Sequence, residues 1–333
     1  MRILIHSYAY LPSIGGIERS TDLLAREWLR RGHEVRILTQ TPAKASMPDP
    51  EGIAVARQPG FRQQLEWARW ADVVWQNHLS LRTLIAPWLV GKPICVTVQT
   101  WLGGQIDRGG LRVSFKRLLL RRLRTVAISE AIRSHLHAKV PVISNPVDPV
   151  FFELQRAQVD TTELLFIGRL VSDKGLNLLL DALTRLNEDG ANFRLTIAGD
   201  GPEAAAIDAR IAAETLPAER IGPIQPAEAA SRMARCACLV VPSVWAEPLG
   251  IVALEGLAVG CPVVVSNTGG LAELSHFGAR CFTAGDADSL ADAIRSATVV
   301  QFSRSGEEPP FALHRVADAY QPFIEPRPSS PTK

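Results

Sequence analysis

Short runs of apolar, often β-branched residues alternate along this chain with longer segments whose apolar positions recur every three or four residues. Strand-like runs interleaved with helical periodicity are the pattern of βα units and a parallel sheet. In the first half the pattern predicts strands over Ile3–His6, Glu34–Leu38, Val73–Trp75, Ile94–Val98, Thr125–Ile128 and Val140–Ile143. Helices are expected over Ile17–Arg31, Leu79–Leu89, Leu111–Arg122 and Glu130–His137, the last capped by Ser129. Asn145-Pro146-Val147-Asp148-Pro149 gathers turn and breaker residues, so a first domain is expected over residues 1–150.

The pattern then restarts. Strands are expected over Glu163–Ile167, Phe193–Ala198, Cys238–Val241 and Pro262–Ser266. Helices are expected over Gly175–Asn187, Pro202–Ala213, Ala227–Arg235, Ile251–Val259 and Ser289–Ser296, giving a second domain over residues 151–300. Residues 301–333 read as a polar, Pro-bearing linker, a terminal helix over Ala312–Ile324 and a disordered tail from Glu325. The expected fold class is α/β: two facing Rossmann-like domains with parallel sheets, with ligands at the carboxyl ends of the strands.

Composition narrows the function classes. The chain has 333 residues, 47% apolar and 21% charged, enough for two cores of ordinary size. A net charge of +2 gives no general attraction to nucleic acid. The five cysteines (Cys95, Cys236, Cys238, Cys261, Cys281) are odd in number and mostly sit in or beside apolar strands, and Cys236-Ala-Cys238 lacks metal-site or redox spacing. No leader pattern precedes the first strand, and no uncharged apolar run reaches a membrane-spanning length. A reducing, cytoplasmic location is therefore expected.

The richest chemistry lies between Pro242 and Glu273, Pro-Ser-Val-Trp-Ala-Glu-Pro-Leu-Gly-Ile-Val-Ala-Leu-Glu at its start. Glu247 precedes a Pro-Leu-Gly turn, and Glu255 lies about one and a half turns into the apolar helix expected after Gly250. A carboxylate on such a helix is costly unless something polar meets it, and a ligand rich in hydroxyl groups would meet both glutamates. Arg169 and Lys174, in Gly-Arg-Leu-Val-Ser-Asp-Lys-Gly after the first strand of the second half, suit a diphosphate. Gly15-Gly16, before the first long helix, would let the backbone approach a ligand; without Gly-x-Gly-x-x-Gly and a following acidic strand end, a dinucleotide site is disfavoured. Asp286-Ala287-Asp288 is read as a helix cap rather than a metal site.

Together these segments resemble a large family of retaining glycosyltransferases, the GT-B type of family 4, typified by bacterial mannosyl- and N-acetylglucosaminyltransferases. The resemblance runs from Met1 to about residue 298. It rests on Gly15-Gly16-Ile17-Glu18, Ser129-Glu130, Asn145-Pro146-Val147-Asp148, Gly168-Arg169 through Lys174-Gly175, Ala198-Gly199-Asp200-Gly201-Pro202, and the Glu247–Glu255 block with Gly269-Gly270. It implies that Arg169 and Lys174 hold a donor diphosphate, Glu247 contacts the transferred sugar and Glu255 the ribose. The amides of Leu249, Gly250 and Ile251 would point at sugar and phosphate, and the Gly15-Gly16 loop would close over them.

The expected activity is transfer of a sugar from a UDP- or GDP-linked donor to a cell-surface glycan or glycolipid, with no cofactor, no metal and no nucleic acid. A nucleotide-sugar 2-epimerase and a sugar-nucleotide-binding protein without catalysis are the alternatives. The motive for the second is a departure: where the family often carries a histidine near the sugar, this chain has Gln99, and His78 is the nearest other candidate. The basic segment Leu111–Arg124 has helical spacing and two readings: a peripheral contact with an anionic membrane face, or an ordinary helix whose apolar stripe packs on the sheet.

Overall fold

The computed structural model describes residues 1–13, 15–44, 48–104, 110–299 and 308–325. The expected linker up to residue 307 and the tail from residue 326 lie outside the described residues. The chain forms two compact units, one of Met1–Pro146 with Pro310–Lys333 and one of Val147–Pro309.

In the first unit the elements run β1 (Arg2–Ser7), α1 (Gly16–Arg30), β2 (Glu34–Thr39), β3 (Ala54–Arg57), α2 (Phe61–Trp70), β4 (Val73–Asn77), α3 (Leu81–Leu89), β5 (Ile94–Val98), α4 (Leu111–Leu120), β6 (Arg124–Ala127) and α5 (Glu130–Leu136). The second unit holds α6 (Val150–Glu153), β7 (Asp160–Ile167), α7 (Leu176–Glu188), β8 (Arg194–Ala198), α8 (Ala204–Ala213), β9 (Ala218–Gly222), α9 (Pro226–Arg235), β10 (Cys236–Val241), α10 (Ile251–Val259), β11 (Val263–Ser266), β12 (Arg280–Phe282) and α11 (Ala287–Val299). The last helix, α12 (Leu313–Ile324), returns to the first unit.

Each unit carries a six-stranded parallel sheet, in the orders β3-β2-β1-β4-β5-β6 and β12-β11-β10-β7-β8-β9. Read from its own first strand, each sheet has the same doubly wound order. The strand direction of travel reverses between β1 and β4 in one and between β7 and β10 in the other, and such switch points are where open α/β sheets leave a crevice. β5 and β10 are buried along their whole length, which explains why parallel central strands read as continuous apolar runs.

The cores follow from the same patterning. In the first unit Ile3, Ile5, Val73 and Trp75 of the sheet pack against Leu24 and Trp28 of α1 and against Val316, Tyr320 and Ile324 of α12. Each such side chain contributes about 1.5–3 kcal/mol on full burial. The rings of Trp28, Trp75 and Tyr320 meet edge-on at 5.1–6.2 Å, and the Tyr320 hydroxyl lies 2.8 Å from Thr97 Oγ1. The terminal helix is thus built into the first unit's core. In the second unit Leu164, Phe166, Ile197 and Val240 pack against Leu179 and Leu183 of α7 and Leu290 and Ile294 of α11.

Several elements depart from the sequence reading. β3, α2, α6, β9 and β12 were not expected. Val140–Ile143 is no strand: it makes one isolated bridge, Ala127 to Val142, and Pro141 has no N–H to extend it. α4 also differs from the ordinary packed-helix alternative. Leu111, Phe115 and Leu118, at helical spacing, are 94%, 55% and 53% exposed, while Leu120 is buried. Ser129 caps α5 as expected, accepting from the Ile132 amide at 3.1 Å.

Candidate active site

The second unit brings its strand-end loops into contact through backbone. The loop after β7 is pinned by Gly168 N–H donating to Ala198 O at 3.0 Å and Leu170 N–H to Asp200 O at 2.9 Å. The short turn Ser172–Lys174 is tied to the loop after β10, where the amides of Val244 and Trp245 donate to Asp173 O at 3.0 and 3.3 Å. Gly175 is required there. Its φ is +71°, and a Cβ would sit 2.0 Å from the Pro242 carbonyl oxygen. The loop after β11 joins the same assembly, Gly270 N–H donating to Glu247 O at 2.7 Å.

This packing delivers two side chains to one another from positions far apart in sequence. Lys174 Nζ donates to Glu247 Oε1 at 2.8 Å. Ser243 Oγ donates to the same oxygen. Glu247 is buried, so the pair is only partly screened by water. Both bonds go to Oε1 rather than Oε2. Lys174 and Glu247 flank the switch point between β7 and β10, where the topology predicts ligand binding. Ser243 had no role in the sequence reading, although it stands only four residues before Glu247.

Arg169 sits exposed at the carboxyl end of β7, and no ion pair joins it to a carboxylate among the described residues. Gly250, in the left-handed region at φ +96°, turns the chain into α10, and the amides of Ala253 and Leu254 both donate to Gly250 O. Intrahelical bonding starts there, so the Ile251 amide belongs to the unpaired, electropositive helix start, next to Gly250 and Leu249. Glu255 is buried on α10 among Ala253, Leu254 and Leu257. Asp286 caps α11, accepting from the amides of Asp288 and Ser289 at 3.0 Å each.

Gly15, Gly16, His78 and Gln99 belong to the first unit. Gly15 is the N-cap of α1, with Gly16 its first residue; Ile14 beside them lies outside the described residues. Gln99 is 4% exposed, and its amide is consumed within its own unit. Its Nε2 donates to Asn77 Oδ1 at 2.7 Å and to Asn145 Oδ1 at 2.9 Å, and its Oε1 accepts from Asn145 Nδ2 at 2.7 Å. Asn77 in turn donates to Thr21 Oγ1 at 2.7 Å, and Ser20 Oγ to Asn145 Oδ1 at 3.2 Å. Both amide hydrogens being committed, Gln99 fastens β4, β5 and the Asn145 turn to one another. His78 follows β4 in the left-handed region, φ +81°, uncommon for a residue with a side chain. Burial lowers its pKa to about 4, Lys116 adding to the effect.

Known proteins match both units. The model of Glycosyltransferase Family 4 matches residues 14–151, and that of glycosyl transferases group 1 matches residues 150–299. The chain is 28% identical to a glycogen synthase of Mycobacterium tuberculosis over 359 aligned positions, covering 89% of this chain and 86% of that protein. It is 25% identical to a GDP-mannose-dependent alpha-(1-6)-phosphatidylinositol dimannoside mannosyltransferase of the same species, covering 89% and 87%. Its fold is similar to that of Anabaena Alr3699/HepE in complex with UDP-glucose, with a TM-score of 0.78 at 18% identity over 97% of this chain and 99% of that one. The two family matches together run from residue 14 to residue 299, and the chain belongs to the GT-B glycosyltransferases of the family 4 type.

Proposed function

We propose that the protein is a retaining glycosyltransferase that moves a sugar from a UDP- or GDP-linked donor to a cell-surface glycan or glycolipid. The observation that carries this reading is the Lys174–Glu247 pair, 2.8 Å apart at the switch point of the second sheet. A cation suited to diphosphate and a carboxylate suited to hydroxyls are held side by side on backbone-locked loops. The GDP-mannose dependence and the phosphatidylinositol dimannoside in the mycobacterial relative's name support the donor and acceptor classes.

In this reading Arg169 and Lys174 bind the diphosphate, with the amides of Leu249, Gly250 and Ile251 beside them. Glu247 accepts from hydroxyls of the transferred sugar and Glu255 from the ribose. As the anomeric C–O bond breaks, negative charge grows on the leaving diphosphate, and fixed cations and amides stabilise it most in the transition state. The acceptor oxygen attacks from the face the diphosphate leaves, and a leaving phosphate oxygen takes its proton. That route requires no side-chain base, consistent with a glutamine at residue 99. With two cations on the diphosphate, no metal is called for.

The exposed stripe of α4 supports a peripheral membrane contact at the inner face. Leu111, Phe115 and Leu118 face solvent in a segment, Leu111–Arg124, that holds six lysines and arginines and no acidic residue. Among the described residues, no helix is long and apolar enough to cross a membrane.

The test is incubation with UDP- and GDP-sugars and a panel of glycan and glycolipid acceptors. Acceptor-dependent nucleotide release, with the donor's anomeric configuration retained by proton NMR, is the expected result. An isomerised donor would instead identify an epimerase, and binding without turnover a non-catalytic protein.

A further inference from the structure

The first unit has a basic cavity at the other end of its sheet from the strand ends that hold His78 and Gln99. The cavity, of about 610 Å³, opens beside the amino end of β6. Three pieces of chain wall it: the turn from α4 into β6, the turn after α5, and Phe323 of α12. Arg121, Arg122, Arg124 and Lys139 bring four positive charges to its lining, and no aspartate or glutamate lines it. Arg121, Arg122 and Lys139 are exposed, so a ligand in solvent can reach them. Among the described residues, none of the four forms an ion pair with a carboxylate.

Their hydrogen-bond partners are neutral. Arg124 Nη1 donates to Phe323 O at 3.0 Å and to Glu325 O at 2.9 Å, and Arg121 Nη2 donates to His137 O at 3.5 Å. A main-chain carbonyl orients a guanidinium without cancelling its charge. Helix dipoles explain part of the clustering, because α4 and α5 both end at the cavity. Each carboxyl end supplies at most about half a negative elementary charge, so about three of the four positive charges stay uncompensated. Like charges crowded in this way repel one another, and a bound anion removes the repulsion.

The residue types select the anion. Arginine forks match phosphate oxygens, and a lysine adds a compact charge. A phosphate monoester brings about −1.5 to −2 charges and three acceptor oxygens, nearer to the surplus than the single charge of a carboxylate. The volume falls within the range of about 300–1,000 Å³ that admits an organic ligand, and Leu123, Val140 and Pro141 add apolar wall for the group bearing the phosphate.

We propose that this cavity binds a phosphate monoester, carried by a lipid headgroup or by a free phosphorylated molecule, at a site separate from the donor site of the second unit. It goes beyond the glycosyltransferase reading and holds whether or not transfer is found.

Two binding measurements on the full chain test it. Glycerol 3-phosphate is titrated by calorimetry, and flotation is measured on phosphatidylcholine vesicles with and without phosphatidic acid. Wild type is compared with Arg121→Gln plus Lys139→Gln, with Arg122→Glu and with Lys174→Met. The cavity variants change exposed side chains only, and an unchanged Tm confirms their fold. Glycerol 3-phosphate should bind wild type and Lys174→Met alike, and both cavity variants about tenfold more weakly through loss of charge-assisted hydrogen bonds. Flotation that phosphatidic acid increases and the cavity variants lose assigns the phosphate to a lipid. Soluble binding with equal flotation on the two vesicles assigns it to a free ligand. The proposal is overturned if glycerol 3-phosphate does not bind and phosphatidic acid adds no flotation. Binding that persists undiminished in both cavity variants, or that Lys174→Met abolishes, overturns it as well.

Discussion

Replacing Gln99 by leucine separates a fastening role from a catalytic one. The substitution nearly conserves volume and removes three hydrogen bonds of 2.7, 2.9 and 2.7 Å inside the first unit. Asn145 Oδ1 retains the Ser20 hydroxyl at 3.2 Å. Asn77 Oδ1 and Asn145 Nδ2 lose the bonds they make to Gln99, in residues 1% and 3% exposed. A buried polar group left unmet costs about 1–3 kcal/mol, so two cost about 4 kcal/mol. For a unit of this size about 1 kcal/mol lowers Tm by about 2–4 °C, which gives a drop of about 8–16 °C. Tryptophan fluorescence reads this unit selectively, because Trp28, Trp67, Trp70, Trp75, Trp88 and Trp101 lie in it and only Trp245 lies in the other. A Gln99→Leu protein melting within about 2 °C of wild type, yet unable to transfer sugar, would refute the fastening role.

Lys174→Met should lower kcat/KM for the donor by about 2–4 kcal/mol of barrier; a value within threefold of wild type would remove Lys174 from the diphosphate site. Gly175→Ala places a Cβ 2.0 Å from the Pro242 carbonyl oxygen at a φ of +71°, a strain of about 2–5 kcal/mol. Hydrogen exchange should rise in peptides spanning residues 168–175 and 242–250, and unchanged protection in both would count against the interlocked loops. His6 titrates near 6.5 when unfolded and near 4 when folded, so the unfolded chain takes up the proton first as pH falls. His6 should therefore contribute about 3 kcal/mol of first-unit stability above about pH 6.5 that is lost towards pH 4, beside the loss from His78; a His6→Phe protein with the wild-type pH profile would contradict this. Phe115→Glu with Leu118→Glu should abolish flotation on anionic vesicles at low salt, and no flotation of the wild type would end the membrane-contact proposal.

What the sequence disclosed follows from how each element buries its surface. β5 and β10 are covered on both faces and read as unbroken apolar runs, and α1 and α7 present clear apolar stripes. α2 was missed because it fully buries only Ala68, so little periodicity is written into it, and β3 is four residues long. Glu247 and Lys174 were legible as motif residues, but their contact spans 73 positions and depends on loops meeting backbone to backbone. The partners of Gln99 stand 22 and 46 positions away, which no local pattern encodes.

The two sheets share one strand order, and in both, polar groups collect at the strands that border the reversal: His6 on β1 and His78 after β4, Lys174 and Glu247 after β7 and β10. At a reversal the flanking helices depart to opposite faces, so strand-end side chains are left uncovered. Identical topology explains where the polar groups are, but not their charge. In the second unit an ammonium and a carboxylate meet at 2.8 Å on loops fixed by main-chain bonds, an arrangement that favours a ligand bearing both charge and hydroxyls. In the first unit burial holds two imidazoles neutral, so the same topology carries uncharged rings at one reversal and an ion pair at the other.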